Sequence, residues 1–227
     1  MRAAIYFTPA KSNPLTVRAA EWLGRDAFDR RPARGPDPKI DVLVSEPARY
    51  GFHATLKAPF RLADGTTIND LDQELAAFAQ RMQAVSLGTL AVTRLDSFFA
   101  LTVQATPPLL LDAEEAIRMA FEPFRAPLTE QEVARRDPQN LSKRQQANLS
   151  RWGYPHVGQD FRFHMTLTNA IVDEAEAAQV ERRLHSQFNH VLEIPVVIDA
   201  LALFVEPGPG APFYIHSRHP LKCGMPS

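Results

Sequence analysis

Two short strings of this chain carry the same chemistry: HATL at 53–56 and HMTL at 164–167. In each, a histidine stands two residues before a threonine, and in an extended strand such residues share one face. An imidazole takes or gives a proton near neutral pH, and a threonine hydroxyl donates a hydrogen bond to an anionic oxygen. Two such rows facing one another would supply a base, an acid and two donors. That set suits in-line attack at a phosphodiester, with no metal and no cofactor required. One of His53 and His164 deprotonates the attacking oxygen, the other protonates the leaving oxygen, and Thr55 and Thr166 steady the phosphoryl oxygens. Which histidine is the base stays open. A lone His-x-Thr on a strand reads more readily as structural; the second copy, with the same flanks, makes the pair a catalytic candidate.

Both strings sit in alternating runs. Residues 51–60 set Phe52, Ala54 and Leu56 against His53, Thr55 and Lys57, and residues 161–168 set Phe161, Phe163, Met165 and Leu167 against Arg162, His164, Thr166 and Thr168. Each run predicts a strand with one apolar face. An amphipathic helix follows each: one with the stripe Ile68, Leu71, Leu75, Phe78 and Met82, the other starting at Asp173, where Glu176 completes a capping box, with the stripe Ala177, Val180, Leu184 and Phe188. A strand is predicted at 3–8, with Tyr6 on its more polar face, then a helix from Pro14 to about 25 and a surface loop over 26–39. Strands at 88–94 and 97–104 turn near Asp96, and Asp112 caps a helix to about 124. A strand pair around the PGPGAP string, 194–206 and 213–217, closes the chain.

The order strand, helix, histidine strand, helix, strand thus occurs twice, which predicts an internally duplicated α+β fold whose two lobes share one cleft. The chain is expected to be a single domain over 1–227. Its first repeat covers about 1–95 and its second about 96–227, with a polar, Arg-containing insertion at about 127–159 that is helical up to Gly153.

Other residues are candidates for substrate contact. Lys57 shares the face of His53 and Thr55 and could neutralise a second phosphate, against the reading of a strand-end lysine in solvent. Arg49 and Tyr50 enter the same strand, against an exposed turn. Tyr6 could line the cleft from the neighbouring strand. Residues 141–156 carry Lys143, Arg144 and Arg151 with no acid, plus Trp152 and Tyr154. They could form a cationic lid contributing Arg144 and Tyr154, against a solvated helix with its aromatics packed inside.

Composition excludes several classes. The 227 residues are 45% hydrophobic, enough for a core, so disorder is excluded. A formal charge of −1 weighs against a polyanion-binding coat or polybasic anchor, and so against nucleic acid as a partner. One cysteine, Cys223, leaves no internal disulfide and fits a reducing cytoplasm. The apolar stretch in MRAAIYFTPAK is too short for a secretory signal, and the most apolar uncharged run, 97–111, holds Pro107 and Pro108 and is too short to span a membrane. His156, His185, His190, His216 and His219 lack a matched partner and read as surface residues. His216 and His219 have no HExxH context and no nearby acids, which discounts zinc. There is no GxxxxGK[ST] phosphate loop, and GPG at 208–210 reads as a hairpin turn.

The paired strings resemble the His-x-Thr motifs of the 2H phosphoesterase superfamily. More narrowly, RYGFHATLKAPF (49–60) with RWGYPHVGQDFRFHMTLT (151–168) resembles a subfamily of unassigned proteins encoded beside carbon–phosphorus lyase genes for phosphonate use. The resemblance covers essentially the whole chain through the repeated element order, although the motifs are short. It implies a bilobal fold with pseudo-twofold symmetry, two antiparallel sheets flanking a central cleft, and a metal-independent cytoplasmic hydrolase that opens a small cyclic phosphodiester. A ribose cyclic phosphate, such as 5-phosphoribosyl 1,2-cyclic phosphate, is the substrate this implies. Two alternatives use the same cleft: RNA end processing on 2′,3′-cyclic or 2′,5′-linked ends, and a phosphate-ligand-binding protein without turnover. The substrate, the regiochemistry of ring opening and the oligomeric state stay open.

Overall fold

The computed structural model describes residues 1–222; Cys223 lies outside the described residues. In chain order the strands are β1 (Arg2–Phe7), β2 (Arg25–Asp26), β3 (Arg31–Pro32), β4 (Ala54–Phe60), β5 (Val85–Gly88), β6 (Leu90–Leu95), β7 (Phe98–Val103), β8 (His164–Thr166), β9 (Val196–Ile198), β10 (Ala200–Glu206) and β11 (Tyr214–Pro220). The α-helices are α1 (Pro14–Leu23), α2 (Pro38–Tyr50), α3 (Ile68–Ala79), α4 (Pro108–Ala120), α5 (Glu130–Ala134), α6 (Lys143–Trp152) and α7 (Glu174–Leu192). The fold is mixed α+β.

Its centre is one seven-stranded antiparallel sheet in the order β11-β10-β1-β4-β8-β7-β6. This corrects the expectation of two sheets flanking a cleft. The two histidine strands pair directly, through Ala54 and Met165, and that short ladder joins the two sides of the sheet. One face carries the main core. Ile5 and Phe7 of β1, Leu56 of β4, Leu101 of β7 and Leu203 of β10 pack there with the apolar stripes of α1, α3, α4 and α7. These helices form because their apolar positions recur at three and four residues, and all but α4 have a side-chain cap at the start: Asn13 accepts from the Leu15 amide on α1, Thr67 and Asp70 close a capping box on α3, and Asp173 accepts from the Glu176 amide on α7.

Several expected elements shift. Residues 38–50 form the helix α2, whose first two residues were expected in the loop and whose last two were expected to enter the histidine strand. Asp37 accepts from the amides of Lys39 and Ile40, Pro38 opens the helix, and Gly51 ends it, so Arg49 and Tyr50 are its last residues. Helix α4 starts at Pro108, before Asp112, because proline suits a first turn whose N–H has no partner. Strand β1 is buried on both faces rather than half-buried: Tyr6 is 1% exposed, under a second cluster of Ala4, Ala27, Ala202, Phe204 and Phe213. Among the described residues no helix is long and apolar enough to cross a membrane.

Candidate functional site

Ala54 and Met165 are partners in the ladder and point into the core, at 1% and 0% exposure, so their neighbours face the other way. Continuing that antiparallel register sets His53 across from Thr166 and Thr55 across from His164. The two rows named in the sequence are thus brought together on one face of the sheet, each histidine diagonal to its counterpart. All four side chains are half-buried.

The imidazoles are held by the same device. His53 Nδ1 lies 2.9 Å from the Gly51 carbonyl oxygen and His164 Nδ1 lies 2.8 Å from the Arg162 carbonyl oxygen. A carbonyl only accepts, so each Nδ1 carries a proton and donates it, and in the neutral ring each Nε2 keeps a lone pair for the cleft. Tyr6 stacks on the His53 ring, while Phe98 lies tilted beside His164, 5.9 Å between centroids. Burial pushes His53 down to about 4, with the His164 charge adding to the effect and the Gly51 carbonyl opposing it. Burial lowers His164 too, against the Arg162 carbonyl. Both are neutral at neutral pH and suited to accept protons.

Lys57 is turned out of this row. The pairing of β1 with β4 slips twice, between Ala3 and Ile5 and between Ile5 and Tyr6, so the strict alternation breaks beyond Thr55. Lys57 is 6% exposed and points at the end of α4, where its Nζ donates to the Arg118 carbonyl at 3.2 Å and, in the turn just after the helix, to Glu122 Oε2 at 2.9 Å. Ala58 takes the cleft-facing position instead. Arg49 is also engaged elsewhere, donating to buried Glu206 at 2.8 Å beside Arg2. Tyr50 and Tyr6 both line the cleft.

The polar insertion supplies the opposite wall. Tyr154 lines the cleft and Arg144 lines its outer part, but Arg144 is not free of acids: it clasps Asp160 through Nε and Nη2 at 2.7 and 2.8 Å. Arg151 lies over the Trp152 ring, 4.5 Å from its centroid. The cleft has two contiguous lobes that share Thr55, Tyr154 and His164. One, of about 500 Å³, extends toward Arg144, His156 and Arg162, and the other, of about 390 Å³, toward Tyr6, Tyr50, Arg2 and Arg136.

Arg136, Arg2 and Arg162 were not singled out from sequence. Arg162 alternates with His164 and so carried a signal; Arg136 follows a short helix in a polar stretch and carried none. His219 does have an acid at hand, because the fold brings Asp72 of α3 to 2.7 Å from its Nε2, with Ser217 on the same carboxylate. Among the described residues no group of three or more His, Cys, Asp or Glu side chains is placed to hold a metal ion.

A family model described as "Protein of unknown function (DUF1045)" matches residues 55–214. A curated protein of Janthinobacterium sp. (strain Marseille), "Ribose 1,5-bisphosphate phosphokinase PhnN", is 39% identical over 97% of this chain and 51% of its own length. A protein of the same name from Laribacter hongkongensis (strain HLHK9) is 35% identical over 94% of this chain and 50% of its own. The chain spans about half the length of these relatives. A crystal structure of TT0787 of Thermus thermophilus aligns over 97% of this chain and 98% of that chain, with a TM-score of 0.44 and 16% identity.

These findings correct the reading taken from the His-x-Thr resemblance. The family matched is DUF1045, not a 2H phosphoesterase family, and the curated relatives bear the name of a phosphotransferase acting on a ribose bisphosphate. The expected 2H-type hydrolase and cyclic phosphodiesterase give way to that finding, as do the RNA end-processing and turnover-free alternatives. The kinase name belongs to proteins of twice the matched span, and these 227 residues contain no GxxxxGK[ST] string.

Proposed function

The chain belongs to the DUF1045 family, for which no function is described, and from that footing we propose that its cleft holds a small ribose phosphate for phosphoryl transfer. The observation that carries the reading is the pair of lone-pair-bearing Nε2 atoms, each fixed by an Nδ1–H bond to a carbonyl two residues upstream, on one face beside two threonine hydroxyls. In this role Thr55 and Thr166 donate to phosphoryl oxygens. One neutral imidazole takes the proton that the acceptor oxygen sheds as its bond to phosphorus forms, and the other, which takes up a proton once the bound phosphate favours its charged form, donates it to the departing oxygen. The name of the half-matched relatives supplies the sugar: a ribose carrying phosphate at positions 1 and 5.

The reading also treats the two histidine strands as an approximate duplication within one domain. Each has the same carbonyl-anchored imidazole and each is followed by an amphipathic helix, α3 or α7.

Calorimetric titration with ribose 1,5-bisphosphate tests it. The wild-type chain is expected to bind. A phosphate held beside an Nε2 favours the protonated ring, whose Nε2–H then donates to a phosphoryl oxygen, so His53→Ala and His164→Ala, each losing that charge-assisted bond, are expected to weaken binding by roughly 10- to 100-fold. A folded wild-type chain that gives no binding, or histidine variants that bind as tightly, would overturn the assignment.

A further inference from the structure

The two lobes of the cleft differ in charge. The lobe toward Arg144 and Arg162 also holds Asp96, Glu114 and Asp160, and Arg144 is already clasped by Asp160. The lobe toward Tyr50 holds Arg2 and Arg136 against a single acid, Glu46, which is 72% exposed and lies 3.9 Å from Arg49. A dianion is therefore better accommodated in the second lobe.

Within that lobe the cations are set in place before any ligand arrives. Arg136 is half-buried, its Cζ 5.1 Å from the Tyr154 ring centroid, and among the described residues no carboxylate lies within ion-pair distance of it. The chain turns sharply just after it: Asp137 has φ 46°, a left-handed conformation, and its carboxylate accepts from Asn140 Nδ2 at 2.6 Å, so the neighbouring acid is occupied away from Arg136. Arg2 is held by buried Glu206, which accepts from it at 2.5 and 2.9 Å and also from Arg49 at 2.8 Å. Two guanidiniums on one carboxylate leave a net positive charge at that end of the lobe. Arg2 and Arg136 line the same lobe as Tyr6, the ring stacked on His53; burial raises the Tyr6 hydroxyl well above its ordinary value, and both guanidiniums act against that rise.

Resting on the proposed ribose-phosphate reading, we infer that Arg136, with Arg2 behind it, forms a second phosphate subsite. The cleft then takes a sugar bearing two phosphates, one at the His-x-Thr rows and the other at Arg136. Arg136 is the specificity-determining residue that separates bisphosphorylated from monophosphorylated sugars. The lobe toward Arg144, with its carboxylates and glutamines, faces the uncharged hydroxyls.

The test is a set of calorimetric titrations with ribose 1,5-bisphosphate and ribose 5-phosphate on the wild type, Arg136→Gln, Arg136→Lys and His53→Ala. The wild type is expected to favour the bisphosphate by at least about tenfold, the scale of one charge-assisted contact. Arg136→Gln is expected to bring that ratio close to one, and Arg136→Lys to keep part of it, since lysine retains the charge without the fork. An unchanged ratio in Arg136→Gln, with His53→Ala still weakening both sugars, would overturn the subsite and leave the ribose-phosphate reading standing. No binding of either sugar to the wild type would overturn both.

Discussion

The Tyr6 and His53 rings lie nearly parallel, with centroids 3.8 Å apart and planes 19° from one another, so β1 fixes the orientation of an imidazole carried on the approach to β4. Phe204 closes on the same pair from β10, 4.9 Å from Tyr6 and 6.0 Å from His53. The histidine is thus clamped by a backbone bond at Nδ1 and by aromatic faces across the ring.

Stacked aromatic pairs are worth about 0.5–1.5 kcal/mol beyond the area they bury. Tyr6→Phe keeps the ring and is expected to leave ribose-phosphate affinity within about twofold, whereas Tyr6→Leu frees the imidazole and should weaken binding by roughly 3- to 10-fold. Titrations of the two variants side by side check this; equal losses in both would assign the effect to the hydroxyl instead of the stack.

The His53 imidazole also links stability to pH. In the unfolded chain it titrates near its ordinary value of about 6.5, and burial lowers it to about 4 in the folded protein. Between those values the unfolded state binds more protons. The His53 contribution to stability is therefore complete above about pH 6.5 and is lost as pH falls through about 4, an amount on the order of 3 kcal/mol. Urea unfolding of the wild type and His53→Gln at pH 7, 5 and 4 is expected to show a shallower fall for the variant, with His164 and His156, also lowered by burial, supplying the remaining slope. Identical slopes would show that His53 does not titrate abnormally.

Gly51 determines where His53 begins. Its φ of 79° is reached most easily without a Cβ, and a Cβ there would stand 2.7 Å from Ala27 Cβ, while its carbonyl is the acceptor for His53 Nδ1. Gly51→Ala is expected to cost at least about 1–2 kcal/mol in urea unfolding and to weaken ligand binding, through backbone strain and a displaced acceptor. A fully stable variant that binds normally would show that this turn relaxes without moving the imidazole.

What was legible in the sequence was local. Alternation at 51–60 and 161–168 placed His53, Thr55, His164 and Thr166 on polar faces, and the spacing of Leu71, Leu75 and Phe78 found α3. Lys57 was misplaced because a bulge is a property of pairing: the slip at Ile5 and Tyr6 exists only once β1 lies against β4. Helix α2 was hidden because Pro36 and Pro38 read as part of the loop over 26–39, although Pro38 starts the helix. Arg136 lies in a turn whose role depends on Tyr154 and on strands distant in sequence, and no period of two or 3.6 residues could find it.

The bulge that turns Lys57 from the cleft leaves it in an ion pair whose two halves are unequal. Lys57 is buried and depends on Glu122 for its countercharge, with burial lowering its pKa against the pull of that carboxylate. Glu122 has a second partner, Arg125, at 2.5 Å. Removing the carboxylate by Glu122→Gln leaves Lys57 buried without a full charge opposite it, a loss on the order of 3 kcal/mol for a buried pair. Lys57→Met removes the buried charge itself, keeps much of the apolar stem and leaves Glu122 on Arg125, so its cost should stay within about 1 kcal/mol. Chemical unfolding of both variants measures the difference, and ribose-phosphate binding by Lys57→Met should match the wild type. A larger loss in Lys57→Met than in Glu122→Gln would mean that the lysine amine stabilises α4 mainly through the Arg118 carbonyl, 3.2 Å away, and not through the ion pair.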